Sequence, residues 1–117
     1  SRTPHCVELL LNSGVLGVST GSSVDSVQYN GKTYGGSGGN LQTLKLSVGN
    51  PVVKISGRCA TRIDKIFFEQ LNGSKIGGGG NGGREFTFSV PQGATVIRFY
   101  YGAERNSNNR GAGRDGR

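Results

Sequence analysis

From residue 21 the chain reads Gly21-Ser22-Ser23-Val24-Asp25-Ser26-Val27-Gln28-Tyr29-Asn30-Gly31. A small-residue turn opens the segment, apolar and β-branched residues carry it as a strand from Val24 to Asn30, and Asn30-Gly31 is a hairpin dipeptide. Ten residues after Asp25 stands a glycine cluster, Gly35-Gly36-Ser37-Gly38-Gly39, and then Leu41 to Val48, in which Leu41, Leu44 and Leu46 are separated by polar residues. The pattern returns. Ile63-Asp64-Lys65-Ile66 lies 39 residues beyond Val24-Asp25-Ser26-Val27, and the run Gly77 to Gly83 ends 44 residues beyond the first cluster. The repeating unit is therefore about 40 residues: strand, strand, loop, aspartate-bearing strand, glycine-rich loop.

Outward from these units the same reading continues. Strands are predicted at Val7–Leu11, Val15–Thr20, Val24–Asn30, Leu41–Val48, Val52–Ser56, Ile63–Gln70, Glu85–Val90 and Thr95–Tyr101. Helical periodicity is absent and glycine, 22 of 117 residues, interrupts every candidate helix. Eight short strands separated by turn residues predict an all-β domain over residues 1–104. A third unit begins at Thr95, where Val96-Ile97-Arg98-Phe99 resembles Val53-Lys54-Ile55-Ser56, but no aspartate-bearing strand follows. Val7–Leu11 is the segment available to fill a missing strand position there. Residues 105–117 carry no apolar side chain larger than alanine and are expected to be a disordered basic tail. Apolar runs are far shorter than the roughly 20 residues needed to cross a bilayer, so no membrane insertion is expected, and no leader is visible at the start of the sequence.

The formal charge is +7, and the tail alone supplies four arginines against one aspartate. In the body the charges show no dense basic stripe along the chain, which reads as a solvated basic surface. Catalytic readings fail early. His5 is the single histidine, and it stands beside Cys6 on a segment whose adjacent side chains point to opposite faces. Asp25 and Asp64 make no demonstrable carboxylate pair. Two cysteines and one histidine cannot build a structural zinc site, so no metal or cofactor is expected. Cys6 and Cys59 either form a disulfide, closing a loop of some 50 residues worth roughly 4 kcal/mol, or remain two thiols; the disulfide is the expectation. The glycine clusters lead into strands and contain no Gly-Lys-Ser/Thr, which excludes a nucleotide loop.

The pairing of aspartate and glycine loop points to a different chemistry. An ionised carboxylate accepts hydrogen bonds from two neighbouring hydroxyls while exposed backbone N–H groups donate to the same oxygens. Vicinal diols of a sugar match that set without a metal. Gly21-Ser22-Ser23-Val24-Asp25-Ser26-Val27 with Tyr29 and the Gly35–Gly39 cluster, followed by Arg62-Ile63-Asp64-Lys65-Ile66-Phe67-Phe68-Glu69 with its Gly77–Gly83 run, resembles the jacalin-related lectins over roughly residues 13–102.

That resemblance implies a β-prism of three four-stranded Greek-key sheets about a pseudo-threefold axis, with the third unit incomplete or closed by the N-terminal strand. It implies metal-free binding of mannose, glucose or galactose, with mannose and glucose favoured. Carried over, a first site would use Gly21, the backbone of Ser23 and Val24, the Asp25 carboxylate and the Gly39 amide. A second would use the backbone of Arg62 and Ile63, Asp64 and Gly83. Ala60 departs from the loop glycine, and neither Ser23 nor Arg62 supplies the aromatic expected two positions before the aspartate. Arg62 and Lys65 beside Asp64 suit an acidic glycan better than a neutral one. The implied partners are glycans or glycoproteins, for a monomer or homodimer that is secreted or extracellular. Two readings compete: a nucleic-acid or polyanion binder acting through the basic tail, and a β-prism serving as a structural or toxin-targeting module.

Overall fold

A computed structural model describes residues 5–102. The tail expected at 105–117, and residues 1–4, 103 and 104 of the expected domain, lie outside them. Ten strands follow one another without a helix among the described residues: β1 (His5–Leu10), β2 (Gly14–Thr20), β3 (Val24–Tyr29), β4 (Lys32–Gly35), β5 (Asn40–Leu46), β6 (Val52–Cys59), β7 (Ile63–Gln70), β8 (Lys75–Gly79), β9 (Arg84–Ser89) and β10 (Val96–Tyr101). All pairings are antiparallel. Two four-stranded sheets have the same topology, β4-β3-β2-β5 and β8-β7-β6-β9, and β1 pairs with β10. Each unit thus places its fourth strand against its first, a Greek-key arrangement. β1 stands on β10 as β5 stands on β2 and β9 on β6, so the N-terminal strand takes the fourth-strand position of the third unit, which is incomplete: among the described residues that sheet holds these two strands in place of the four expected.

Two strands exceed the eight expected. Both run into the glycine clusters: β4 is only four residues long, and in β8 three of five residues are glycines of low strand propensity. In β8 the glycines are required by close approach: Gly77 and Gly79 have φ of +138° and +132°, and a Cβ at either would strike the carbonyl of Ile66 or Asp64 on β7.

Alternation decides which face each strand buries. Leu44 and Leu46 of β5, and Ile66, Phe68 and Gln70 of β7, point inward while their neighbours face out. Leu9, Leu11, Leu16, Val18, Val27 and Phe68 are wholly buried, so all three sheets close on one apolar core. Thr20, Ser26 and Gln70 are the buried polar side chains among the described residues, and the Gln70 amide donates to the carbonyls of Lys45 (2.8 Å) and Asn50 (2.9 Å), satisfying both hydrogens. Leu11 links the third sheet to the second: its N–H donates to the Thr95 carbonyl and its own carbonyl accepts from Val52.

The expected Cys6–Cys59 disulfide does not form. Both thiols are free, because Cys6 lies exposed on β1 and Cys59 ends β6 in a different sheet.

Candidate functional site

The two aspartates occupy one structural position used twice. Along β2 and β3 the register runs Ser19↔Ser26 and then Thr20↔Val24, leaving Asp25 as the extra residue of a bulge. Along β6 and β7 it runs Arg58↔Lys65 and then Cys59↔Ile63, leaving Asp64 in the same place. A bulge re-aims its side chain, so each carboxylate turns toward the loop rather than into the sheet face. The backbone around them repeats as well. Gly21 N–H donates to Ser23 O and Ala60 N–H to Arg62 O, both at 2.9 Å; Asp25 O accepts from Gly36 N–H (2.9 Å) and Asp64 O from Gly80 N–H (2.7 Å).

At the first position the structure brings together Gly21, Asp25 and Gly39. A Cβ at Gly39 would lie 2.6 Å from Asp25 Oδ2 and 2.9 Å from the Thr20 nitrogen, and the residue holds φ +80°, so glycine alone lets the second loop reach the carboxylate. Ser23 is half-buried in the turn, with its carbonyl engaged by Gly21, while the Val24 side chain belongs to the core. At the second position Gly82 takes the place beside the carboxylate, where a Cβ would lie 3.3 Å from Asp64, and Gly83 (φ +72°) packs on the backbone of Cys59 and Ala60. Arg62 and Ile63 are half-buried next to it. The alanine at position 60 does not disturb this loop. A Cβ built on its counterpart Gly21 would meet nothing closer than 3.8 Å, and the turn hydrogen bond is unchanged.

Beside each aspartate loop the outward face of the sheet carries a cleft of about 440 Å³. The clefts overlap at three matching positions and differ in chemistry, and the second also reaches along β6 and onto β9. In the first, Ser19, Thr33 and Ser37 supply hydroxyls among Gly35, Gly36 and Gly38, over a buried Ser26. In the second, Arg58 stands for Ser19, Lys65 for Ser26 and Asn81 for Ser37, with Lys54 and Lys75 further along. Four of the basic residues dispersed along the sequence, Lys54, Arg58, Lys65 and Lys75, are therefore gathered across β6, β7 and β8. Arg58 also braces the glycine loop, donating from Nε to the Gly82 carbonyl (3.1 Å) and from Nη2 to that of Gly83 (2.8 Å). Lys65 Nζ donates to Asn81 Oδ1 at 2.8 Å. The outward alternation Lys54, Ser56, Arg58 was the available signal for this cleft. What it lacked was the strand pairing that sets Lys65 and Lys75 alongside. Among the described residues no three His, Cys, Asp or Glu side chains are grouped to hold a metal.

This arrangement as a whole is similar to solved structures. The fold is a jacalin-like β-prism. The prism matches the prostate-specific WGA16 glycoprotein lectin with TM-score 0.68 and 18% identity, over 97% of this chain and 90% of that one. It matches Malaysian banana lectin with TM-score 0.66 and 17% identity, over 96% and 90%. The second β-prism domain of RbmC from V. cholerae, bound to N-acetylglucosaminyl-β-1,2-mannose, aligns with TM-score 0.59 and 16% identity over 97% of this chain and 90% of that one. No protein-family profile and no curated protein sequence matches the chain.

Proposed function

We propose that this β-prism is a metal-independent lectin for neutral sugars of the mannose or glucose type, anchored by Asp25. The observation that carries the reading is the approach of Gly39 to the Asp25 carboxylate at a bulge that turns the side chain toward the loop. The carboxylate accepts from two adjacent hydroxyls, and backbone N–H groups of the two loops donate back. The neighbouring serine and threonine hydroxyls extend the polar surface without adding charge, which suits an uncharged ring. Similarity to lectins, and to a β-prism holding a mannose-containing disaccharide, supports the same class of ligand.

Asparagine keeps the shape of Asp25 but offers one acceptor oxygen and loses charge-assisted hydrogen bonds worth roughly 1.5–3 kcal/mol each. A millimolar monosaccharide site has only about 4 kcal/mol in total. Calorimetric titration with mannose, glucose and galactose is therefore expected to lose its signal in Asp25→Asn, with chelator without effect on the unaltered chain. Undiminished binding by the variant, or dependence on calcium, overturns the reading.

A further inference from the structure

We propose a second and chemically different site: the outward face of the β6–β9 sheet binds an acidic polysaccharide, one carrying sulfate or carboxylate groups among free hydroxyls. Lys54, Arg58, Lys65 and Lys75 come from three strands to line one cleft of about 440 Å³, where the matching residues of the other sheet, Val15, Ser19, Ser26 and Gly31, carry no charge. Two of these cations have local work. Arg58 holds the Gly82 and Gly83 carbonyls and lies 3.6 Å from Glu85, and Lys65 is held by Asn81. Lys54 and Lys75 lie further along the cleft. Glu69 stands across from both in the register, and Lys75 Nζ sits 4.9 Å above the Phe67 ring.

The cleft is mixed rather than uniformly basic, and this selects the occupant. Glu85 lines it, and Asp64 lies at its loop end beside Gly82. Carboxylates repel a continuous phosphate backbone but accept hydrogen bonds from hydroxyls, so a ligand that alternates hydroxyl and anionic groups fits where a nucleic acid does not. The Phe67 face that could stack a base is already covered by Lys75. The proposal concerns the opposite sheet from Asp25 and holds whether or not Asp25 binds sugar.

The test is titration of the full chain with a sulfated heparin-type octasaccharide, an oligogalacturonate, a neutral mannan oligosaccharide and a single-stranded oligonucleotide. Either acidic saccharide is expected to bind more tightly than the other two ligands. Affinity for it is expected to fall at least about tenfold in Lys54→Gln/Lys75→Gln, which removes two charge-assisted contacts. A variant with Arg105, Arg110, Arg114 and Arg117 changed to Gln is expected to bind undiminished, and the melting temperatures of both variants are expected to stay close to that of the unaltered chain. The sulfated and carboxylate arms identify the anionic group. Failure of both acidic saccharides to bind, preference for the oligonucleotide, retention by the lysine variant, or loss in the tail variant overturns the proposal. Loss of mannose binding in Asp25→Asn leaves this result untouched, so the two sites fail or stand separately.

Discussion

The β2–β5 and β6–β9 sheets share topology, bulge position and loop hydrogen bonds, yet the side chains at matching positions belong to different chemistries. Ser19, Ser23, Ser26 and Asn40 in one become Arg58, Arg62, Lys65 and Arg84 in the other. The backbone of a repeated unit is constrained by the core and by glycines at strained or crowded positions, whereas outward side chains are free to diverge. One scaffold therefore presents two outward surfaces of different charge. Inward positions differ more quietly. Tyr29 and Phe68 occupy the same place, opposite Leu16 and Ile55, but Tyr29 is half-buried and donates its hydroxyl to the Ser13 carbonyl at 2.8 Å, while Phe68 is sealed in the core.

That inward pair gives the largest expected contrast. Phe68→Ala is expected to cost about 3–5 kcal/mol in chemical denaturation by opening a cavity under all three sheets. Tyr29→Phe, which removes one partly exposed hydrogen bond, is expected to cost about 0.5–1.5 kcal/mol. Equal losses would show that the second sheet does not anchor the core as its burial implies. The glycines beside the carboxylates come next. Gly39→Ala forces a side chain into the left-handed region, about 1–2 kcal/mol, and into contact with Asp25, so both stability and mannose binding should drop. Gly82→Ala meets Asp64 only at 3.3 Å and without positive φ, so a smaller change of stability and none in mannose binding is expected. The smallest effect is expected at the cysteines. Intact-mass measurement with and without reductant should show no 2 Da shift, since neither thiol has a partner across the sheets; a shift would mean that β1 and the end of β6 approach each other.

Most of the fold was legible in the chain because the core depends on period and turn chemistry. Val24, Val27 and Asn30-Gly31 announce a strand and a hairpin, and Asn30 indeed takes φ +50° with Gly31 at +89°. The aspartates and Gly39 were legible for a similar reason, since a repeated motif survives in sequence order. The lost strands β4 and β8 show the limit: Gly77 and Gly79 are in the ladder to avoid the β7 carbonyls, a constraint set by a neighbour and not by the local residues. The basic cleft was hidden likewise, because Lys54 and Lys75 are distant along the chain and meet only through pairing with β7. Cysteine count, lastly, says nothing about separation, and Cys6 and Cys59 end in different sheets.

The pairing of β1 with β10 also sets an order of events during synthesis. β2 meets β5 after an interval of twenty to about thirty residues, but β1 must wait about ninety for its partner. At roughly 5–20 residues per second, that is several seconds or more in which Val7 and Leu9 face solvent with an unpaired edge on either side. Closing so long a loop adds only modest entropy, since the cost rises with the logarithm of length. The delay is kinetic. β1, made well before its partner, docks after the other two sheets can form, and the nascent chain passes through a stage in which two finished sheets share an apolar face still awaiting its third wall.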